Sequence, residues 1–422
     1  MDEELNTEWT IFPFAFMLVE GGKGKYEIVI DWEHTTYDFV RPEEVDERDT
    51  VPHLSISLGR VLVGRVVAEG LQELRNDHVN GASVLAGKAV EVMTKAVREG
   101  DVLGIRSTKE MEAENKEALA AWWQGLKMIG WHLKVVRKSM GAAITVAVCG
   151  ALKAVQQEVD IGGSLGEVKR RALRRLEEAS LNRRHNSERI AAQFQSWLNN
   201  HFPGEGPVAI LTLSSSSTIR ACLIAAISSD TGRHLRLKVL ESRPMFEGVA
   251  FVRSLLLDLE KRGMGDRLAV EIASDASVGV IGKDTDIVLL GADRISEDGD
   301  VSNKTGSLAA VLCAREVSPK ARVVVVSELD KVAAPGKMEN HKEEDNDTSE
   351  LTAHWPSPRE CEAQPTSEQW MAAVKVRNVY FEWVPARHID AYVSESGDLN
   401  LEDIKHWSRH VGQLEEEMFG DL

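Results

Sequence analysis

The chain has 422 residues, of which 43% are hydrophobic and 28% are charged, and its formal net charge is −17. A chain of this length exceeds what one hydrophobic core supports, so two or three domains are expected. The acidic balance argues against general binding to nucleic acid or anionic membranes. The four cysteines are scattered without a CxxC pair, which indicates reduced thiols and a cytoplasmic location.

The first predicted elements are β-strands over residues 9–45, joined by the glycine-rich turn GGKGK. The start of the chain has no apolar segment of the kind that signal peptides carry. Beyond Pro52, apolar residues recur at three- and four-residue spacing, which predicts helices with a break near residues 77–81. Further helices are predicted around residues 109–129, 138–158 and 165–198.

From residue 207 onward, short apolar runs alternate with polar corners or helical segments. These runs are PVAILTL, HLRLKVL, RLAVEIAS, TDIVLLGA, ARVVVVS and NVYFEWVP. Continuous apolar runs suit strands that are buried on both faces, as in a parallel sheet covered by helices. The sequence therefore predicts an α/β protein with a helical region first and a parallel-sheet region second.

One segment interrupts the second region. Residues from about 335 to about 369 are polar, acidic and punctuated by prolines, so they carry too little apolar surface to fold alone. We predict a long, mostly disordered surface insertion over residues 335–369.

Three other stretches are interpreted as structural. The basic run over residues 167–189 is expected to be a helix with a salt-paired, solvated face rather than an RNA site. AWWQGL, over residues 121–126, is expected in a core or an interface. The final run HWSRHVGQLEEEMFGDL is expected to form an amphipathic helix or tail that packs on a partner chain.

Polar side chains follow three of the predicted strands, at the edge where parallel sheets bind their ligands. The three corners are the serine run from Ser214, ESRPMFEG from Glu241 and GADRISEDGDVSNKTGS from Gly291. Their arginine and lysine can bind phosphate, and their amides and hydroxyls can bind sugar hydroxyls. The helix expected to start near Thr305 would present free N–H groups to an anion.

Each corner also has a plain structural explanation. Serines cap helices, and Glu241–Arg243 and Asp293–Arg294 can form ordinary surface ion pairs. Taken singly, the corners favour this interpretation. Three of them at successive strand ends of one sheet favour a shared ligand-binding cleft.

ILTLSSSSTIRA, ESRPMFEG and TDIVLLGADRISEDGDVSNKTGSLAAVLCA, in this order and spacing, resemble a superfamily of translation factors and isomerases. It contains the regulatory (α, β, δ) subunits of translation initiation factor 2B, methylthioribose-1-phosphate isomerase and ribose-1,5-bisphosphate isomerase. The resemblance covers roughly residues 53–410 and includes DHVNGASVLAGKAV, RKSMGAAI and NVYFEWVPARHIDAYVSESGDL. It implies a helical domain over residues 53–200 and a Rossmann-like domain over residues 201–422, paired into a dimer or a higher even-numbered oligomer.

Residues 9–45 resemble a different family. WTIFPFAFMLVEG and IDWEHTTYDFVRPEEV are similar to the C-terminal half of a Nudix domain, but the Nudix box, whose glutamates hold magnesium, is not in the sequence. Residues 1–52 are therefore interpreted as a short β-rich Nudix-like remnant without diphosphate hydrolysis. Whether it is a docking element or a truncated relic stays open.

The serine corner separates the two branches of the superfamily. In the isomerases this corner is similar to L-T-H-C-N, and its cysteine works with the aspartate of the GAD motif. Here Ser214 and Asp293 occupy those two positions, and Leu213 stands in place of the histidine. A thiol with a pKa near ~8.5 can give and take the proton that moves between C1 and C2, whereas a serine hydroxyl keeps its proton unless a base activates it. No such base is visible in the sequence, so the catalytic pair is predicted to be inactive.

The resemblance also implies a retained ligand pocket. None of the twelve histidines has a metal-ligand spacing, and no metal ion or cofactor is expected. The expected ligand-binding residues are Arg137, Ser215, Ser216, Ser217, Glu241, Arg243, Asp293, Asn303 and Lys304. The predicted function is a non-catalytic protein of the regulatory-subunit type that binds a phosphorylated sugar or a nucleoside monophosphate, with initiation factor 2B-type subunits as further partners. Two alternatives stay open: an aldose–ketose isomerase that acts on methylthioribose-1-phosphate or ribose-1,5-bisphosphate, and a scaffold with an empty pocket.

Overall fold

The structure is a computed structural model that describes residues 63–77, 80–102, 115–137, 140–204, 206–229, 233–336, 346–353, 355 and 374–422. The predicted Nudix-like remnant over residues 1–52 lies outside these residues, and so does most of the predicted insertion. The described chain forms a helical domain followed by a Rossmann-like domain with a largely parallel sheet.

The helical domain begins with five helices whose apolar faces meet in one core. They are α1 (Arg65–Asn76), α2 (Ala82–Glu99), α3 (Asn115–Val135), α4 (Gly141–Ile161) and α5 (Leu165–Arg184). The predicted break over residues 77–81 is confirmed, because it separates α1 from α2. Trp122 and Trp123 of the AWWQGL run are buried in this core, as expected. Within the described ranges, no helix combines the length and the apolar composition needed to cross a bilayer.

The helix predicted over residues 165–198 is in fact two helices. A turn at His185 ends α5 and begins α6 (Asn186–His201). Helix α5 stays in the helical core, whereas α6 packs Phe194 and Leu198 in the core of the sheet. Helix α6 therefore already packs on the sheet, although the second domain was predicted to start only at residue 201.

Most of the basic run over residues 167–189 lies on α5. Glu158 of α4 binds Arg171 and Arg175 at 2.9 and 2.8 Å. Since carboxylates of the same chain pair with these arginines, this face is a salt-paired helix surface, as predicted. The two arginines hold the pKa of the Glu158 carboxyl below its ordinary value.

Ten strands lie in the described chain. They are β1 (Val208–Leu213), β2 (Leu235–Leu240), β3 (Leu268–Ala273), β4 (Ile287–Leu290), β5 (Arg294–Ile295), β6 (Val301–Lys304), β7 (Arg322–Val326), β8 (Phe381–Val384), β9 (Ala391–Ser394) and β10 (Gly397–Leu399). The main sheet has the order β10-β9-β7-β4-β1-β2-β3, and its neighbours are parallel except for β10 and β9. Strands β1 and β4 are neighbours although β2 and β3 lie between them in the chain, so the direction of winding reverses at this pair. Ligands of open α/β sheets bind beyond the carboxyl ends of the strands at such a switch point.

Helices cover both faces of the main sheet. The helices that follow α6 in the chain are α7 (Ser217–Ile227), α8 (Glu247–Lys261), α9 (Val278–Ile281), α10 (Ser307–Val317), α11 (Ser349–Thr352) and α12 (Leu401–Phe419). Helices α6, α7 and α8 bury one face, and α9, α10 and a small second sheet bury the other. Strands β1 and β4 are consequently buried along their whole lengths.

The small second sheet corrects one predicted strand. The run NVYFEWVP was expected among the buried parallel strands, but its strand β8 pairs antiparallel with β6 in a sheet of order β5-β6-β8. Glu382 and Trp383 of β8 are only partly buried, between buried Phe381 and Val384. The run was misinterpreted because its aromatic content resembles a core strand, although it carries a glutamate at its centre.

Helix α12 is amphipathic, as expected, and its apolar face packs on its own chain. Leu414, Met418 and Phe419 complete the core of the helical domain. Lys134 of α3 binds Glu415 at 2.6 Å. The last helix of the chain is therefore a structural part of the first domain.

The described part of the insertion is folded. Residues 346–353 contain α11, and Glu350 of this helix accepts hydrogen bonds from Asn378 Nδ2, at 2.7 Å, and from the Tyr380 hydroxyl. Polar side chains just before β8 hold these eight residues, and the disorder of the rest of the insertion stays a prediction, since most of it lies outside the described residues.

Candidate functional site

The serine corner lies where β1 ends at the switch point of the sheet. Ser214 adopts a left-handed backbone conformation, with φ of 63°. Its N–H group donates to the hydroxyl of Ser242 at 2.7 Å. Ser216 caps α7, because its hydroxyl accepts a hydrogen bond from the Ile219 N–H at 3.2 Å. Capping thus explains one serine of the four, while Ser215 and Ser217 remain exposed.

The second corner follows β2 and packs directly against the first. The N–H groups of Ser242 and Arg243 donate to the carboxylate of Asp275 at 2.9 and 2.8 Å, which fixes the loop in place. At the start of α8, a Cβ atom on Gly248 would lie only 2.0 Å from the carbonyl oxygen of Leu240. Only glycine permits this close approach, so α8 begins immediately against the end of β2.

The third corner follows β4 and returns through β6. A Cβ atom on Gly291 would lie 3.7 Å from Ser216 Oγ and 3.8 Å from Asn303 Oδ1, so these two polar atoms flank the same glycine. Asn303 Nδ2 donates to Ser307 Oγ at 2.9 Å. A Cβ atom on Gly306 would lie 3.3 Å from Leu213. The structure therefore brings together the three corners that the sequence placed at successive strand ends.

Glu247 links the three corners, and the sequence analysis did not single it out. Ser214 Oγ donates to Glu247 Oε2 at 3.0 Å, and Lys304 Nζ binds Glu247 Oε1 at 3.1 Å. Lys304 also lies over the rings of Tyr380 and Phe381, at 4.7 and 4.8 Å from their centroids. Two expectations are corrected: Ser214 does have a carboxylate beside it, and Lys304 is already paired.

The N-terminus of α10 is also occupied. The helix was expected to begin near Thr305 with free N–H groups, but it begins at Ser307. The N–H groups of Gly306 and Leu308 both donate to Glu382 Oε1, at 2.7 and 2.9 Å. A side-chain carboxylate of β8 thus takes the position that a bound anion would take.

Asp293 is 8% exposed and lies just before the β5–β6 hairpin, with its N–H bound to the Ser302 carbonyl at 2.8 Å. No described residue donates a hydrogen bond to its carboxylate. A carboxylate without such a donor can accept hydrogen bonds from the hydroxyls of a ligand. The simple ion pairs Glu241–Arg243 and Asp293–Arg294 are not formed in the described chain.

Arg137 lies in the helical domain, just after α3. It is buried, and its guanidinium donates to the main-chain carbonyl of Asp77 between α1 and α2. One of its donors thus serves the fold, and its role toward a ligand remains a prediction.

Among the described residues, no three His, Cys, Asp or Glu side chains lie close enough together to hold a metal ion. Cys149 and Cys222 are buried in helices, and burial raises the pKa of the Cys149 thiol to about 12. Neither thiol belongs to the three corners.

Comparisons with known proteins place these corners in a family context. A model of the initiation factor 2 subunit family matches residues 79–401, which is more than half of the chain. A ribose 1,5-bisphosphate isomerase from Haloferax volcanii is 29% identical over 46% of this chain and 54% of its own length. A Pyrococcus furiosus protein named translation initiation factor eIF-2B subunit 2-like is 26% identical over 58% of this chain and 73% of its own length.

The fold is that of solved structures from the same family. The tetrameric eIF2B-beta2-delta2 complex from C. thermophilum contains a chain that matches with a TM-score of 0.56 at 14% identity, over 82% of this chain and 94% of that one. The chain spans only about half the length of the isomerase from Haloferax volcanii. The relatives thus include both translation factors and isomerases, and their names do not decide between these two functions.

Proposed function

Because the chain belongs to the initiation factor 2 subunit family, we propose that it is a ligand-binding member that does not isomerise its ligand. The ligand is a phosphorylated ribose or a nucleoside monophosphate, held in the cleft at the carboxyl ends of β1, β2 and β4. The role of the protein is regulatory, of the kind played by the initiation factor 2B regulatory subunits.

One observation carries the proposal: the hydroxyl of Ser214 donates to Glu247, whose second oxygen binds Lys304. Moving a proton between C1 and C2 of a sugar requires a group that releases and recovers a proton near neutral pH. An alcohol does this only when a strong base activates it, and carboxylates as a class are weak bases, with free pKa values near ~4. The carboxylate beside Ser214 therefore positions the hydroxyl rather than turning it into a proton shuttle.

The proposed ligand uses the groups that the fold leaves available. The phosphate lies beside the exposed hydroxyls of Ser215 and Ser217 and the guanidinium of Arg243. The ribose hydroxyls donate to Asp293, whose carboxylate lacks a donor among the described residues, and reach the amide of Asn303. Glu241 lies at the rim of the same corner. This arrangement gives every polar group of the ligand a partner of suitable charge.

An active isomerase is the second candidate, because Asp293 is retained and a named relative is an isomerase. An NMR assay of the full chain with methylthioribose-1-phosphate and with ribose-1,5-bisphosphate tests it. We expect binding of a phosphorylated ribose without formation of a ketose. Conversion well above background that Asp293→Asn abolishes would establish the isomerase instead.

We also propose a cytoplasmic dimer or higher even-numbered oligomer, alone or with initiation factor 2B-type subunits. Support comes from apolar side chains on α8 and the edge strand β3 that are roughly 40–50% exposed, namely Val249, Leu256, Leu257 and Ile272. A related structure is described as a tetrameric complex. Light scattering at micromolar concentration should report an even-numbered species, and a monomer would contradict this part of the proposal.

A further inference from the structure

The cations of the cleft differ in how much charge they can offer to a ligand. Lys304 is only 19% exposed and is enclosed by the carboxylate of Glu247 at 3.1 Å and by two aromatic rings. Its positive charge is already balanced by an anion of the same chain. A ligand that needs Lys304 must first compete with Glu247.

A second position suited to an anion is occupied in the same way. Glu382 Oε1 accepts from the N–H groups of Gly306 and Leu308 at the start of α10. Lys304 lies on β6, directly before this helix, and β6 pairs with the strand that carries Glu382. On the side of the cleft formed by β6 and α10, Lys304 and the start of α10 are therefore both bound by carboxylate oxygens, Glu247 Oε1 and Glu382 Oε1.

Arg243 is the contrasting case. The residue is exposed, and its guanidinium lies 5.6 Å from the centroid of the Phe246 ring. In the described chain no carboxylate forms an ion pair with it. Its neighbour Ser242 binds the N–H of Ser214, so Arg243 belongs to the serine side of the cleft. One side of the cleft thus offers an unneutralised cation and the other does not.

We propose that Glu247 makes this cleft selective for ligands with a single phosphate group, an inference that rests on the proposed function. A first phosphate binds on the serine side beside Arg243. A second phosphate at the opposite end of the ribose would face Glu247 and Glu382, and like charges that meet in a partly enclosed site repel strongly. Glu247 therefore acts as a specificity-determining residue that replaces the second phosphate with a carboxylate of the protein.

The test compares ribose 5-phosphate with ribose 1,5-bisphosphate by isothermal titration calorimetry on the full chain. The wild-type protein should bind the monophosphate at least ~10-fold more tightly, since one like-charge contact of this kind changes affinity by about that factor. Glu247→Gln should strengthen bisphosphate binding by ~10-fold or more and change monophosphate binding by less than ~3-fold. Glu247→Asp keeps the charge and should keep the preference.

The matched control is Glu260→Gln, which removes the same charge from an exposed position near the end of the same helix. It should leave both affinities unchanged. Clear monophosphate binding together with equal or tighter bisphosphate binding by the wild type would overturn the inference and leave the proposed function standing. A preference that survives in Glu247→Gln would also overturn it. Failure of both sugars to bind the wild-type protein would overturn the proposed function and the inference together.

Discussion

The two halves of the carboxyl edge of the main sheet serve different purposes. Beyond β1, β2 and β4, the cleft holds hydroxyls, one ion pair and an unneutralised arginine. Beyond β7 and β9, the same edge is closed by the helical domain. There Arg183 of α5 lies beside Glu328 and Asp330, and these two carboxylates lie close enough to Glu395 to help raise its pKa.

The closed half is tightly connected to the helical domain. Glu328 is only 2% exposed and accepts a hydrogen bond from Ser83 of α2 at 2.8 Å. Arg183 binds Asp330 and lies 3.8 Å from Glu328. The loops after β7 and β9 meet where the N–H of Leu329 donates to Glu395. One half of the sheet edge therefore joins the two domains, and the other half remains available to a ligand.

Among the variants that test this difference between the two halves, Arg183→Gln is expected to have the largest effect, a loss of unfolding free energy. The substitution leaves two carboxylates in a largely buried position without their cation, which typically costs about 3–5 kcal/mol of unfolding free energy. Urea unfolding measures the loss, and Arg174→Gln on the exposed face of the same helix is the control, expected within ~0.5 kcal/mol of the wild type. A loss below ~1 kcal/mol for Arg183→Gln would show that this half does not join the domains.

The second prediction concerns the pH dependence of the closed half. Burial, reinforced by Asp330 and Glu328, raises the pKa of the Glu395 carboxyl to about 7, against an ordinary value of 4.5. The folded protein therefore binds this proton more tightly than the unfolded chain does. The protonated Glu395 carboxyl therefore stabilises the folded protein fully below pH 4.5. This stabilisation is lost as the pH rises through about 7, so the unfolding free energy falls by roughly 3 kcal/mol.

Glu395→Gln should remove this dependence. The variant should match the wild type near pH 4.5 and exceed its unfolding free energy at pH 8 by up to roughly 3 kcal/mol, because no charge then needs to be buried. Denaturant unfolding at several pH values measures the unfolding free energies of the variant and of the wild type. The exposed Asp398→Asn, on the neighbouring β10, should leave the slope unchanged. An unaltered slope in Glu395→Gln would assign the pH dependence to other groups.

The smallest effect is expected for ligand binding in the open half of the sheet edge, which lies beyond β1, β2 and β4. Arg243→Ala should weaken binding of ribose 5-phosphate by about 1.5–3 kcal/mol, as for the loss of a charge-assisted hydrogen bond. Its unfolding free energy should change by less than ~0.5 kcal/mol, because the side chain is exposed. Arg253→Ala, exposed on α8, is the control for lost positive charge. A large loss of stability in Arg243→Ala would make the open half structural as well.

The strands of the main sheet were predictable because most of them are short, continuous apolar runs in the sequence. Runs such as IVLL, and the four valines that follow Arg322, are buried on both faces, and few other structures accommodate them. Strand β8 was misassigned because its aromatic residues resemble those of a core strand, although Glu382 and Trp383 are only partly buried. The end of α5 at His185 was missed because its flanking residues keep the helical spacing through the turn.

The position of the site was also predictable, but its electrostatics were not. The switch-point rule places the three corners at one edge, and the structure brings them together there. The partners of those corners come from elsewhere in the chain. Glu247 lies 33 residues beyond Ser214, and Glu382 lies 76 residues beyond Gly306. Sequence spacing gives no signal for such pairs, since they depend on how two loops or a loop and a strand pack in space.

The packing of α12 has a consequence for the order in which the chain folds. Its apolar residues Leu414, Met418 and Phe419 fill the core of a domain whose first described helix starts at Arg65. A ribosome releases the chain from its N-terminus onward, so α1 to α5 emerge long before the helix that completes their core. The cores of both domains are therefore completed only when α12 has been synthesised, because Ile404 of this helix is buried in the core of the sheet domain.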